Sequence, residues 1–164
     1  MTRAARTIYL DLDGVFADFY GTAQRVLGRP FESLPPEQAW GQLDQVPQLF
    51  RDLPVLPGSL ELLSALQPHS ARLEVLSGLP RPTKELASAA QDKREWVARH
   101  LSAELKVNLI EGGVNKWTFA RPGDVLIDDL LRNLGPWELA GGIGVHHTSV
   151  ANTLEKLRQL GLVR

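Results

Sequence analysis

Four carboxylates stand where two short apolar runs of the chain give out: Asp11 and Asp13 at the end of the run Thr7 to Leu12, and Asp128 and Asp129 at the end of a run that starts at Asp124. Either pair alone reads as an ordinary turn acid, since Asp-Gly and Asp-Asp are common at strand exits. Together they are a rarer pattern. If both runs are strands of one parallel sheet, all four carboxylates meet at one edge. They then repel one another by about 4 kcal/mol for each pair of unit charges ~4 Å apart, at an effective dielectric of about 20. Such a cluster calls for a cation or for protons. A hard, oxygen-preferring ion such as Mg²⁺ suits it, because that ion takes few protein carboxylates, keeps several waters and completes its shell with a phosphate oxygen.

The elements that must carry these residues follow from apolar runs and breakers. Ile8, Tyr9 and Leu10 form a short β-prone run ending in acids and Gly14, and Arg72 to Ser77 forms a second that stops at Gly78, with Pro80 and Pro82 beyond. Lys106 to Ile110, Asp124 to Ile127 and Ile143 to Val145 are comparable. Between them, Gly58 to Leu66, Thr83 to Leu101 and Thr153 to Leu160 carry helical spacing, with Thr83 a candidate N-cap and Gly161 a candidate stop. Strands alternating with helices predict a three-layer, Rossmann-like α/β fold with a mainly parallel sheet. Residues 17–56 break the alternation: Gly28, Pro30, Pro35, Pro36 and Pro47 interrupt helix-like runs and no strand is evident. The expected organisation is therefore an α/β core over residues 1–16 and 57–164, with a small helical cap at 17–56 lying over the strand ends, where open α/β sheets bind ligands.

The chain has 164 residues, enough for one core, and its 43% hydrophobic and 23% charged residues are ordinary for a globular protein. Lys and Arg number 18 against 19 Asp and Glu, so no basic footprint for a nucleic-acid polymer exists. The absence of cysteine removes disulfides, thiolate nucleophiles and cysteine-bound zinc, and makes a reducing cytoplasm the expected location. The stretch MTRAARTIYLDLDG reads as neither signal peptide nor membrane span, so no membrane partner is expected. Oligomeric state has no signature in the sequence.

DLDGV at 11–15 resembles motif I of the haloacid dehalogenase-like phosphatases, Ser77 after LEVL resembles motif II, and Asp128 and Asp129 resemble the acidic motif IV. Within that superfamily the chain is similar to the 5′(3′)-deoxyribonucleotidases through DLDGVFADF at 11–19, LPGSLELL at 56–63, DKREWVARHL at 92–101 and NKWTFARPGDVLIDD at 115–129. The resemblance implies a HAD-like fold and Mg²⁺-dependent hydrolysis of a small phosphomonoester, the leading substrate being a deoxyribonucleoside 5′- or 3′-monophosphate. It implies that Asp11 is the nucleophile, passing through an aspartyl-phosphate, and that Asp13 is the acid and base. Mg²⁺ would be held by Asp11, the backbone carbonyl of Asp13 and the Asp128/Asp129 pair, with Asp129 the preferred direct ligand. Phosphate would be bound by Ser77, by backbone N–H groups near Gly14 and Gly78, and by Lys93 and Lys116, with Lys93 placed ahead of Lys116 as the cation facing Asp11.

The chain departs from the family's pattern in having Ser77-Gly78-Leu79-Pro80 at motif II, Leu130 after the acidic pair and a shorter cap. Phe19 matches an aromatic of the family's base pocket. Trp40 is placed either against a base or sugar or in cap packing, and Trp96, Trp117 and Trp137 are expected in the core. His146 and His147, adjacent on a strand, point to opposite faces and are not expected to share a metal. No dinucleotide fingerprint, P-loop or Gly-x-Ser-x-Gly elbow is present. The alternatives are a HAD phosphatase acting on a sugar phosphate or other small metabolite, phosphoryl transfer in place of hydrolysis, and an inactive phosphate- or Mg²⁺-binding partner protein.

Overall fold

The computed structural model describes residues 6–164, without the side chains of residues 70 and 71; residues 1–5, the expected start of the core, lie outside the described residues. Five strands, β1 (Ile8–Leu10), β2 (Leu73–Leu79), β3 (Lys106–Glu111), β4 (Val125–Asp128) and β5 (Ile143–His146), form one sheet in the order β3-β2-β1-β4-β5. Every pairing is parallel. Apolar residues alternate between two cores: Ile8, Leu10, Val75 and Ile127 face one side, Tyr9, Leu76 and Leu126 the other. A sheet buried on both faces needs such continuous apolar runs, which is why its strands were legible as runs.

The larger core packs beneath α3 (Ser59–Leu66), α4 (Ala89–His100) and α6 (Val150–Gln159), through residues such as Leu62, Trp96 and Leu157. The smaller one is closed by α5 (Leu131–Leu139), whose Leu134 and Trp137 are buried against Tyr9. The sequence reading did not anticipate α5, because Gly135-Pro136 reads as a break; here Pro136 lies inside the helix and the burial of its neighbours offsets the lost bond. The expected long helix from Thr83 is also divided, into a 3₁₀ turn at Lys84–Ser88 followed by α4. Thr83 caps nothing, and its hydroxyl donates to Asp44 instead, at 2.8 Å.

Between β1 and α3 the chain forms α1 (Phe19–Leu27), capped by Asp18 and ended by Gly28 at φ 70°, a 3₁₀ turn at Phe31–Ser33, and α2 (Pro36–Leu43). Ala17 bridges both Asp13 and Val55, so this inserted segment leaves and re-enters the core side by side. Its return is tied down by Trp96, whose Nε1–H donates to the Leu53 carbonyl at 2.8 Å. Register places Leu10 level with Val75 on one side and Ile127 on the other. Asp11, Ser77 and Asp128 therefore emerge together from the three central strands, at the edge where strand order reverses.

Candidate active site

Asp11 is buried, and its two known partners both hold the same oxygen: Oδ1 accepts from the Leu12 N–H at 2.8 Å and from Lys116 Nζ at 2.9 Å. Oδ2 is left to the cavity that Asp11 lines. Lys116, itself buried, also donates to Asp128 Oδ2 at 2.6 Å. An ammonium carries three donors, so among the described residues Lys116 keeps one for a ligand. Lys93 is spent differently: it donates to Asp13 Oδ2 at 2.6 Å, to Ser77 Oγ at 2.9 Å and to the Gly78 carbonyl at 2.9 Å, and its ammonium lies 4.4 Å from the Phe50 ring centre. The order expected for the two lysines is thus reversed: Lys116 meets Asp11, while Lys93 holds Asp13. The reason is local. The 3₁₀ turn Gly113–Phe119 aims Lys116 inward beside β4, while α4 presents Lys93 above the end of β2.

Ser77 accepts from Lys93 and keeps its own O–H to donate. Gly14 does not offer its N–H, which the Ala17 carbonyl takes at 2.9 Å; its value is spatial. It sits at φ 80°, and a Cβ there would come within 2.4 Å of Asp129 Oδ2. Gly78 is similar, since a Cβ would approach the Gly113 nitrogen to 3.0 Å and push the Lys116 turn away.

Asp128 and Asp129, adjacent in sequence, have opposite surroundings. Asp128 is fully partnered, by Lys116, by the Leu130 N–H at 2.8 Å and by Asn133 Nδ2 at 3.1 Å to each oxygen. Asp129 has a buried Oδ1 with no partner among the described residues. Burial, with Asp11 and Asp128 nearby, pushes the Asp129 carboxyl up to about 8. Burial likewise raises Asp11 to about 7, with Lys116 opposing the shift and Asp128 and Asp13 adding to it. Burial alone would lower the Lys116 ammonium, but Asp11 and Asp128 outweigh it and hold the pKa above its ordinary value. Oxygens of Asp11, Asp128 and Asp129 lie within 4.8 Å of one another. Three carboxylates with one cation between two of them, and an orphaned oxygen on the third, fit a hard divalent ion on the Asp129 side. Asp13 was expected there only through its backbone carbonyl, and its carboxylate is turned to Lys93.

A cavity of about 1010 Å³ opens in front of this cluster. One wall comes from the inserted segment: buried Phe19 stacks on Phe50 at 5.9 Å, and Trp40 lies tilted against Phe19 at 5.6 Å and edge-on to Phe31 at 5.3 Å. Trp40 both packs and lines the cavity. Trp96 and Trp137 are buried as expected, but Trp117 is 45% exposed, a correction forced by the turn that sends its neighbour Lys116 inward. The histidines diverge: His146 Nε2 meets the Asp129 carbonyl at 3.0 Å, and His147 Nδ1 meets Thr153 Oγ1 at 2.7 Å. Sequence reasoning missed Asn133, which orients Asp128, and Tyr20 and Asp44, which line the cavity. Only the spacing of Asn133 behind the acidic pair, in the first turn of α5, was visible beforehand.

A five-stranded parallel sheet with Asp-x-Asp after its first strand and an acidic pair after its fourth defines the haloacid dehalogenase-like class. Solved structures share the fold. A hydrolase from Streptococcus pneumoniae TIGR4 superposes with a TM-score of 0.59 at 12% identity, covering 95% of this chain and 100% of that one. A HAD-superfamily hydrolase of subfamily IA from Geobacter sulfurreducens PCA gives 0.53 at 15% identity, covering 94% and 97%. Within the class, the family model described as 5′ nucleotidase, deoxy (Pyrimidine), cytosolic type C protein matches residues 5–154, and the chain belongs to that family. It is also 27% identical, over 121 residues, to a protein of Chlorobaculum tepidum provisionally named a 5′(3′)-deoxyribonucleotidase; the match covers 61% of this chain and 60% of that protein's length.

Proposed function

We propose that the chain hydrolyses phosphomonoesters with Mg²⁺ through a phosphorylated Asp11, and that its leading substrate is a deoxyribonucleoside 5′- or 3′-monophosphate. The observation that carries this reading is the split use of Asp11: one carboxylate oxygen is fixed by Lys116 and Leu12, and the other faces the cavity. A nucleophile needs that arrangement, an oriented carboxylate with a free lone pair.

In this reading Asp11 Oδ2 attacks phosphorus while the spare donor of Lys116 and the Ser77 hydroxyl bind phosphoryl oxygens. The bond to the leaving alcohol breaks, and Asp13, held by Lys93 at 2.6 Å, delivers the proton. Asp13 then takes a proton from the water that cleaves the aspartyl-phosphate, restoring Asp11. Asp11, Asp129 and the Asp13 carbonyl would hold Mg²⁺, which supplies positive charge against the phosphoryl oxygens. Asn133 keeps Asp128 turned to Lys116, so Asp128 fixes the lysine while Asp129 remains free for the cation. The inserted segment, acting as a cap, brings Phe19 and Trp40 to the organic part of the substrate, and an aromatic wall suits a planar base. Family membership supports the nucleotide as that substrate.

The test is phosphate release, with Mg²⁺, from a panel of deoxynucleoside 5′- and 3′-monophosphates and sugar phosphates, with Asp11→Asn as control. Preferential release from deoxynucleotides, lost in Asp11→Asn, is the expected result. Release from sugar phosphates alone would keep the chemistry and change the substrate, and retained activity in Asp11→Asn would overturn the nucleophile.

A further inference from the structure

Tyr20 is the second residue of α1, and the start of that helix is fixed by Asp18, whose Oδ1 accepts from the Gly21 N–H at 2.9 Å. The ring stands at the seam between two chemistries. On one side its Cε2 lies 3.0 Å from where a Cβ on Gly14 would sit, a point 2.4 Å from Asp129 Oδ2, so ring and carboxylate flank the same glycine. On the other side the ring meets Phe19 edge-on at 5.3 Å and Phe31 at 6.4 Å, inside the aromatic wall. Among the described residues the Tyr20 hydroxyl has no hydrogen-bond partner, and Tyr20 lines the cavity with Asp11 and Asp13. A donor on a ring held by its neighbours and open to the cavity is available to a ligand there.

We infer that Tyr20 is a specificity-determining residue whose O–H donates to an oxygen of the leaving alcohol, one or two carbons from the ester oxygen. The phosphoryl group already has Lys116, Ser77 and the cation site, whereas the leaving oxygen must lie beside Asp13, which lines the same cavity as Tyr20. The substrates favoured are esters of alcohols that carry such a second oxygen, as a furanose does; an aryl phosphate without one gains nothing from Tyr20. This rests on the phosphohydrolase reading above and adds a selectivity to it.

The experiment compares wild type with Tyr20→Phe, which keeps the ring and removes the donor. kcat/KM is measured for a deoxynucleoside monophosphate and for p-nitrophenyl phosphate, and equilibrium binding for a deoxynucleoside and for inorganic phosphate. Tyr20→Phe should lose roughly 3- to 10-fold in kcat/KM on the nucleotide and in affinity for the nucleoside, the size of one neutral hydrogen bond. Its values for p-nitrophenyl phosphate and inorganic phosphate should stay within about twofold of wild type. Equal losses on both members of each pair, or no loss on either, would overturn the assignment. The binding arm needs no turnover, so a protein that releases no phosphate sinks the hydrolase reading while the nucleoside and phosphate affinities still decide Tyr20.

Discussion

Lys93 and Lys116 are both buried and both hold an aspartate, but they differ in what remains to them. Lys93 has its three donors committed within the protein, whereas Lys116 keeps one. Lys116→Met should therefore lose inorganic-phosphate binding together with turnover. Lys93→Met should hold phosphate affinity within about threefold while turnover falls, because Asp13 loses its anchor. Lys116→Met should also cost roughly 3–5 kcal/mol in urea unfolding, since it strands Asp11 and Asp128 beside each other without a counter-charge. Asp13→Asn should slow turnover by about 10²- to 10⁴-fold, the range for losing a positioned acid and base, with the fold unchanged by circular dichroism. Turnover near wild type in Asp13→Asn would assign the proton transfer to another group.

At the scale of elements, the loop after β2 shows what a short interaction can hold. Asp44, at the end of α2, accepts from Thr83 Oγ1 at 2.8 Å and from the buried Leu86 N–H at 3.1 Å, joining the inserted segment to the core. Asp44→Ala leaves the Leu86 N–H unpartnered and should lower stability by about 1–3 kcal/mol, against about 1 kcal/mol for Thr83→Val, by denaturant unfolding. This same contact explains a misreading, because Thr83 before a helical run looks like an N-cap until the fold supplies Asp44. The strands were legible, each an apolar run bounded by Gly or Pro whose burial on both sheet faces demands such a run. α5 was hidden by Gly135-Pro136, which a buried Trp137 overrides. The acidic residues of the site were legible as types at strand ends. Which lysine meets Asp11, and that Asn133 serves Asp128, depended on a 3₁₀ turn and a helix rotation that no local pattern announces.

On the scale of the whole molecule, the sheet concentrates negative charge at one edge, and this couples the site to stability. In the metal-free protein Asp11 and Asp129 have folded pKa values raised to about 7 and about 8, burial being the main cause. The unfolded carboxyls titrate near ~3.9. Between these limits the folded state binds more protons than the unfolded one, so stability must fall as pH rises. The contribution is whole below pH ~3.9, declines through the folded values and is gone above about 8. Metal-free protein should accordingly melt at a lower temperature at pH 8 than at pH 5.5. Mg²⁺ bound as proposed would take the deprotonated carboxylates of the folded state, so the rise in Tm on adding it should be larger at pH 8 than at pH 5.5. At a concentration of 100 times Kd the stabilisation amounts to about 2.7 kcal/mol. Asp129→Asn should melt higher than wild type without metal at pH 8 and lose most of the Mg²⁺ response, because it removes at once the buried charge and the carboxylate proposed to receive the ion. Equal Tm shifts in Asp129→Asn and wild type, measured by calorimetry with and without chelator, would place the cation away from Asp129.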